Sequence, residues 1–390
     1  MTEWKEYKLG EIADITPGFA FKSKDFGQTG ELVVKIKDIA PPYIDLTNAD
    51  HVDLSSYDKN KLSKYLLCEG DYVVAMTGAT IGKVGKLKTD KYAYLNQRVA
   101  KIKAKEGVCD DFVYFSICGD DFQSFIQNNI DSNSAQENIS ANSIGRFPVS
   151  LPPLNEQRHI ASILTSLDDK IDLLHRENAT LEAMAETLFR QWFVEGAKEE
   201  WKEGVISDLI EFNPTRKLAK DSIAPFLEMS NLSTSTYAPT YWYNRAFSSG
   251  SKFRNGDTLL ARITPCLENG KTAYIDFLNE NQIAWGSTEF IVMHSKLGLH
   301  SFFSYVIAKF QDFRDYAESC MSGSSGRQRV DVENLKNYPI LIPDESTIEK
   351  FNNKIETMVS KMHNNNVQIQ TLIQTRDGLL PKLMSNEIKL

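Results

Sequence analysis

The chain has 390 residues, 42% of them hydrophobic, and a formal net charge of −8. That is enough apolar material for two ordinary cores plus connecting elements. No apolar run approaches the roughly 18 residues of a membrane span, and Met1 to Lys5 opens no hydrophobic segment of signal-peptide type, so a cytoplasmic protein without a membrane anchor is expected. Five scattered cysteines (Cys68, Cys109, Cys118, Cys266, Cys320), with no Cys-x-x-Cys pair, read as buried free thiols in a reducing compartment.

In chain order, the first element is a repeat signal. Glu3-Trp4-Lys5-Glu6 recurs as Glu200-Trp201-Lys202-Glu203, an offset of 197 residues. At the same offset Leu9, Ile12 and Pro17 answer to Ile206, Leu209 and Pro214. Glu69-Gly70-Asp71, opening the run Tyr72 to Met76, answers to Asn255-Gly256-Asp257 opening Thr258 to Arg262; both read as a turn followed by a buried strand. Ile144, Pro148 and Leu151-Pro152 answer to Leu335, Pro339 and Ile342-Pro343, now at an offset of 191. A repeat of this length is domain duplication rather than a solenoid.

The globular parts hold short β-branched and aromatic runs, such as Leu32 to Ile36, Tyr72 to Met76 and Val99 to Ala104 in the first copy, and helix-like stretches around Asp111 to Gln127 and Ser301 to Glu318. Mixed α+β regions over 1–150 and 199–342 follow. A proline-marked border, Leu151-Pro152-Pro153 or Ile342-Pro343, then opens a helical region in each copy, 151–198 and 343–390, since proline suits the first helical turn.

Those helical regions carry alternating four-three apolar spacing. The first seam runs through Ile160, Leu164, Leu167, Ile171, Leu174, Asn178, Leu181, Ala185, Leu188 and Trp192. The second runs through Phe351, Ile355, Met358, Met362, Asn365, Ile369, Leu372, Arg376, Leu379 and Leu383. This is a coiled-coil repeat, giving helices of about 35 residues and about 50 Å. The alternative is two amphipathic helices, each packed on its own domain. Arg376 and Pro381 predict fraying or a kink near the end of the second helix. An antiparallel pairing about the seam midpoint sets Asn178 opposite Asn365, a buried polar pair that fixes register. The expected fold class is α+β: two mixed domains joined by two long antiparallel coiled-coil helices, with pseudo-twofold internal symmetry.

The net acidity argues against a nucleic-acid partner until its distribution is considered. Lys83, Lys86, Lys88, Lys91, Arg98, Lys101, Lys103 and Lys105 face only Asp90, +7 in 23 residues. The alternating strand Val99 to Lys105 puts three lysines on one face, read either as phosphate contacts or as the solvated face of an edge strand. In the second copy Ser322-Gly323-Ser324-Ser325-Gly326-Arg327-Gln328-Arg329 combines small residues with Arg, which reads guanine, and Gln, which reads adenine; a loop without function is the other reading. The first copy has the polar but non-basic Asn128 to Gln136 in that place. The nucleic-acid contact candidates from these stretches are Lys83, Lys86, Lys88, Arg98, Lys101, Lys103, Arg327, Gln328 and Arg329; Arg262, from a stretch matched by the resemblance given below, joins them.

Catalytic signals are missing. Ala40-Pro41-Pro42-Tyr43 has the outline of an adenine methyltransferase motif, but Ala40 cannot accept a hydrogen bond from the target amine, so it reads as a turn. The two Glu-Trp-Lys triplets have no partner aspartate on a preceding strand, and their tryptophans read as core anchors. The six histidines show no metal-ligand spacing, and no catalytic triad can be assembled. No catalytic residue, metal or cofactor is assigned to this chain.

At Val149-Ser150-Leu151-Pro152-Pro153-Leu154-Asn155-Glu156-Gln157-Arg158-His159-Ile160-Ala161 the sequence resembles the specificity subunits of type I restriction-modification systems. Leu9-Gly10-Glu11-Ile12, the Gly-Asp turns at 70 and 256, Arg262-Ile263-Thr264-Pro265 and Leu380-Pro381-Lys382-Leu383-Met384 also match, and the resemblance spans the full length. The second helix start lacks the Glu-Gln pair, so any partner contact that the first start makes through that pair is expected to be weaker at the second. The resemblance implies two target-recognition domains, each reading half of a split, asymmetric site in double-stranded DNA, with helix length setting the unread spacer. It also implies docking of modification (methyltransferase) subunits, usually two, that use S-adenosylmethionine, and of restriction subunits that use ATP and Mg2+. The competing reading is a coiled-coil adaptor bridging two protein-binding domains without nucleic acid.

Overall fold

The computed structural model describes residues 4–130, 137–239, 241–296, 298–324 and 326–390. Its contacts divide into two compact units, Met1–Asp169 with Leu372–Leu390, and Lys170–Thr371. The border therefore falls within both long helices, Leu154–Phe189 and Glu345–Met384.

The first unit is built on a six-stranded sheet in the order Ala13–Pro17, Val99–Ala104, Tyr72–Ala75, Val84–Lys86, Tyr43–Ile44, Ile39–Ala40. The second unit has a four-stranded sheet in the order Ile210–Phe212, Phe290–Ser295, Asp257–Ala261, Thr272–Tyr274. The register repeats: Ile102 lies opposite Ile15 and Tyr72, as Met293 lies opposite Phe212 and Thr258. A second sheet in each unit contains a parallel pair, Glu31–Val34 with Ala93–Leu95 and Ile223–Leu227 with Ala284–Gly286. Duplication thus extends from sequence to strand order.

The Gly-Asp turns show why these sheets form where they do. Gly70 (φ +88°) and Gly256 (φ +84°) adopt the left-handed region that only glycine enters freely. Each is followed by a buried aspartate that collects donors. Asp71 accepts from the Cys68 amide (3.0 Å) and Asp257 from the Arg254 amide (2.8 Å). Asp257 also accepts from Arg216 Nε (3.1 Å) and Nη2 (2.8 Å), so its buried charge is paired. The strands that follow, Tyr72–Ala75 and Asp257–Ala261, are buried along their whole length.

The two helix starts are tied down by the repeated tryptophans. Trp4 Nε1 donates to Glu156 and Trp201 Nε1 to Asp344, each at 3.3 Å. Glu3, the first residue of the repeated segment, lies outside the described residues. Asp344 caps the second helix through the Thr347 amide (2.7 Å) and also pairs with Lys198, which holds its carboxyl well below the usual range. In the first unit Gln157 is buried; its Nε2 donates to Pro152 O (2.7 Å) and its Oε1 accepts from the Cys109 amide (2.8 Å). The Glu-Gln pair of the first helix start is therefore spent on internal bonds, and Asp344 does comparable work in the second.

The helix segments pair antiparallel inside each unit. In the second, Asn365 Nδ2 donates to Asn178 Oδ1 (2.8 Å), and the Phe193 and Phe351 rings lie 4.9 Å apart, so contacts advance along one helix as they retreat along the other. In the first, Asp168 meets Arg376 (2.9 Å), while Ile160 and Leu164 share a cluster with Leu383. Ile171, Leu174, Ile355, Met362 and Ile369 are buried, whereas Leu167, Leu181, Met358 and Leu372 are half-buried. The helices also enter the domain cores: Ala185, Phe189 and Phe193 pack with Phe303 and Phe351. A π-helical turn, Arg190–Glu195, closes the first helix, and Phe189 stacks on Phe193 at 5.3 Å.

Two expectations are corrected. Of the fraying or kink expected at Arg376 and Pro381, fraying is not seen: the helix runs on through Pro381 to Met384, with Asp168 neutralising Arg376 and Leu383 buried beyond the proline. The thiols are not uniformly buried: Cys68 is exposed and the other four are half-buried. Among the described residues no helix is long and apolar enough to cross a membrane.

Candidate nucleic-acid interface

The basic stretch between Lys83 and Lys105 meets carboxylates from elsewhere in its unit. Lys86 pairs with Asp111 (2.6 Å), Lys88 with Asp169 (2.8 Å) and Lys103 with Asp110 (2.7 Å). Lys101 donates to Leu66 O (2.8 Å) and lies 3.5 Å from Asp71. The strand Val99–Ala104 is interior, flanked on both sides, so its lysines are not edge guards. Folding thereby offsets much of the positive charge seen in the sequence, and with it the counterion release these groups could drive. Lys83 and Arg98 are exposed.

The candidates in the second copy come together around one backbone frame. The strand Asp257–Ala261 runs into Arg262, whose amide donates to Glu289 O (3.0 Å) and whose carbonyl accepts from the Val330 amide (2.9 Å). The Thr264 amide donates to Gln328 O (3.1 Å), and Ile263 bridges Arg329 in antiparallel fashion. Arg329 also lies opposite Ser322 in a two-stranded ladder, so the loop carrying Arg327 and Gln328 is pinned at its base; Ser325 is outside the described residues. Glu289 takes the Arg329 Nε (2.9 and 3.0 Å) and Nη2 (2.7 Å), a contact that raises the guanidinium pKa above its ordinary value. Arg262 is half-buried: its Nη2 donates to Val330 O (3.2 Å) and its buried Nε has no hydrogen-bond partner among the described residues.

The first copy builds the same frame. The Met76 amide donates to Arg98 O (2.9 Å), the Ile139 amide to Met76 O (3.0 Å) and the Gly78 amide to Glu137 O (3.0 Å), while Thr77 bridges Asn138. Most of the first copy's polar loop, residues 131–136, lies outside the described residues. Identical backbone bonds therefore present Met76, Arg98, Glu137 and Asn138 in one unit and Arg262, Glu289, Gln328 and Arg329 in the other. The scaffold repeats and the side chains do not.

This division of labour matches a family that reads DNA. The Type I restriction modification DNA specificity domain matches residues 1–183 and again 198–374. The chain belongs to this family. The type I restriction enzyme MjaIX specificity subunit of Methanocaldococcus jannaschii is 23% identical over 430 residues, covering 100% of this chain and 97% of the relative. The HindI specificity subunit of Haemophilus influenzae is 22% identical over 471 residues, covering all of both chains. The EcoBI specificity subunit of Escherichia coli is 30% identical over 197 residues, 48% of this chain and 37% of the relative. In fold, the chain is similar to the crystal structure of a type I restriction-modification S subunit from M. genitalium, with a TM-score of 0.54 at 14% identity and coverage of 97% and 96%.

Beside the frame of the second recognition unit, the specificity subunit has an open cleft of about 400 Å³ lined by Asn213, Arg216, Lys252, Arg262, Thr288 and Phe290. Arg216 is neutralised there by Asp257, and Lys252 donates to Arg216 O (3.2 Å). Glu289, Arg216 and Lys252 are absent from the sequence-derived candidates. Glu289 was detectable, because it stands at the 191-residue offset from Arg98. Among the described residues, no group of three or more His, Cys, Asp or Glu side chains is placed to hold a metal ion.

Proposed function

We propose that this specificity subunit reads a split, asymmetric site in double-stranded DNA, each globular region contacting one half-site, and acts without catalysis of its own. The observation that carries this reading is the repeated backbone frame with unlike side chains: one scaffold used twice, presenting different chemistry each time. Phosphate contacts position such a protein and a few loop side chains specify bases. Exposed Lys83 and Arg98 serve the first role, and the loop of Arg327, Gln328 and Arg329 the second. Two modification subunits dock on the chain and supply S-adenosylmethionine-dependent adenine methylation, and restriction subunits supply the ATP- and Mg2+-dependent steps. The paired helices set the spacer.

The test is to map methylated adenines in DNA exposed to this chain together with its modification subunit. A split motif with unlike halves is the expected result. An unsplit or palindromic motif would defeat the two-headed reading, as would methylation by the chain alone with S-adenosylmethionine.

A further inference from the structure

The Arg329–Glu289 pair is built in a way that stability does not require. The Arg329 side chain is 47% exposed and that of Glu289 22% exposed. Ion pairs this open contribute little to folding. They also make poor phosphate anchors, because the carboxylate cancels the charge that releases counterions. What the pair does achieve is orientation. With Nε and one side of Nη2 held on the carboxylate, the guanidinium plane is fixed, and the outer edge formed by Nη1 and Nη2 remains. That edge carries the two parallel donors that match O6 and N7 of guanine in the major groove. Arg327 has no such carboxylate behind it in the described structure, and the half-buried Arg262 is held by Nη2 on Val330 O with its Nε buried. In the first unit the same backbone place holds Asn138, an exposed side chain whose amide matches N6 and N7 of adenine.

We propose that Arg329 selects a guanine in the half-site of the second unit, with Glu289 as its positioning residue, and that Asn138 selects an adenine in the half-site of the first. This rests on the DNA-reading function proposed above and assigns its side chains. The pseudo-equivalent places in the two units thus ask the same geometric question of the DNA and accept different bases.

The complex of this chain with its modification subunit tests it, through adenine-methylation maps and competition binding to duplexes that vary each position in turn. In the wild type, one position of the second half-site should favour guanine by roughly 10-fold or more. Arg329→Ala should bring that ratio close to 1 and leave the first half-site unchanged, which also reports that the variant is folded. Glu289→Gln keeps the guanidinium and should lower the same ratio without weakening binding to unrelated DNA. Asn138→Ala should relax an adenine in the first half-site alone. An unchanged guanine ratio in Arg329→Ala overturns the assignment while leaving the two-headed reading intact, and competition binding decides this even if methylation is lost. Equal weakening on every sequence makes Arg329 a phosphate contact and overturns it as well. An unaltered first half-site in Asn138→Ala removes the adenine assignment.

Discussion

The asparagine pair in the helix seam offers a quantitative test of how register is fixed. Asn365 is fully buried and Asn178 is 5% exposed. Asn365 Nδ2 bonds Asn178 Oδ1 (2.8 Å) and Glu177 Oε2 (3.0 Å), Asn178 Nδ2 bonds Asn366 Oδ1 (3.1 Å), and Asn365 Oδ1 has no hydrogen-bond partner among the described residues. Asn365→Ala removes the donor to Asn178 Oδ1 and leaves that oxygen buried, a cost of about 2 kcal/mol. For a unit of this size, that lowers the melting temperature by about 4–8 °C. Replacing both asparagines with leucine removes the orphaned oxygen and fills the seam, so the double variant should match or exceed the wild type, by up to about 3 kcal/mol. Thermal and guanidinium melts followed by far-UV circular dichroism, arranged as a double-mutant cycle, measure both effects. A double-leucine variant more than about 1 kcal/mol less stable than wild type would refute the reasoning, since the polar pair would then be a net source of stability rather than of register.

Three further perturbations probe other buried groups. Arg376→Met strands Asp168, whose carboxyl is already pushed up by burial against the pull of Arg376; a loss of about 2 kcal/mol is expected near neutral pH, shrinking once Asp168 is protonated. Equal melting deficits at acidic and neutral pH would contradict it. Glu182 is buried and accepts from the Tyr305 hydroxyl (2.7 Å), and burial raises its pKa to about 7 from 4.5. Its folded-state pKa lies above the unfolded one, so the stability it confers is full below about pH 4.5 and is lost as pH rises through about 7. Glu182→Gln should flatten that decline, which pH-resolved melts would detect as a variant gaining on the wild type between pH 5 and 8. Leu164→Ala opens a cavity in the core shared by the first helix and its domain and should cost about 2–5 kcal/mol; a loss under about 1 kcal/mol would place Leu164 outside the packed seam.

The parts legible in the sequence are those governed by local rules. The Gly-Asp turns, the helix starts after Pro152 and Pro343, and the four-three seam are each decided by a few neighbouring residues. The seam positions even set Asn178 against Asn365, because helical period and symmetry suffice to predict which side chains meet. The basic stretch was less legible: its lysines looked like a DNA-facing patch, but the carboxylates that pair with them come from Asp71, Asp110, Asp111 and Asp169, three of them on other elements of the fold. The continuation of the second helix through Pro381 was illegible for the same reason. A helix breaker is judged locally, while the buried Leu383 that holds the last turn in place packs against residues more than 200 positions away.

By itself the sequence determined that the chain is a duplicated α+β protein with two long seam-bearing helices, because repeat offsets and apolar periodicity are properties of the chain read in one dimension. The tertiary structure decided which charges are spent inside the fold and which face outward. It set Glu289 behind Arg329 and Arg98 near Asn138 through equivalent backbone bonds, joining segments about 40 residues apart. Pairing of charges depends on distance in space, and only the folded sheets bring those segments within hydrogen-bonding reach.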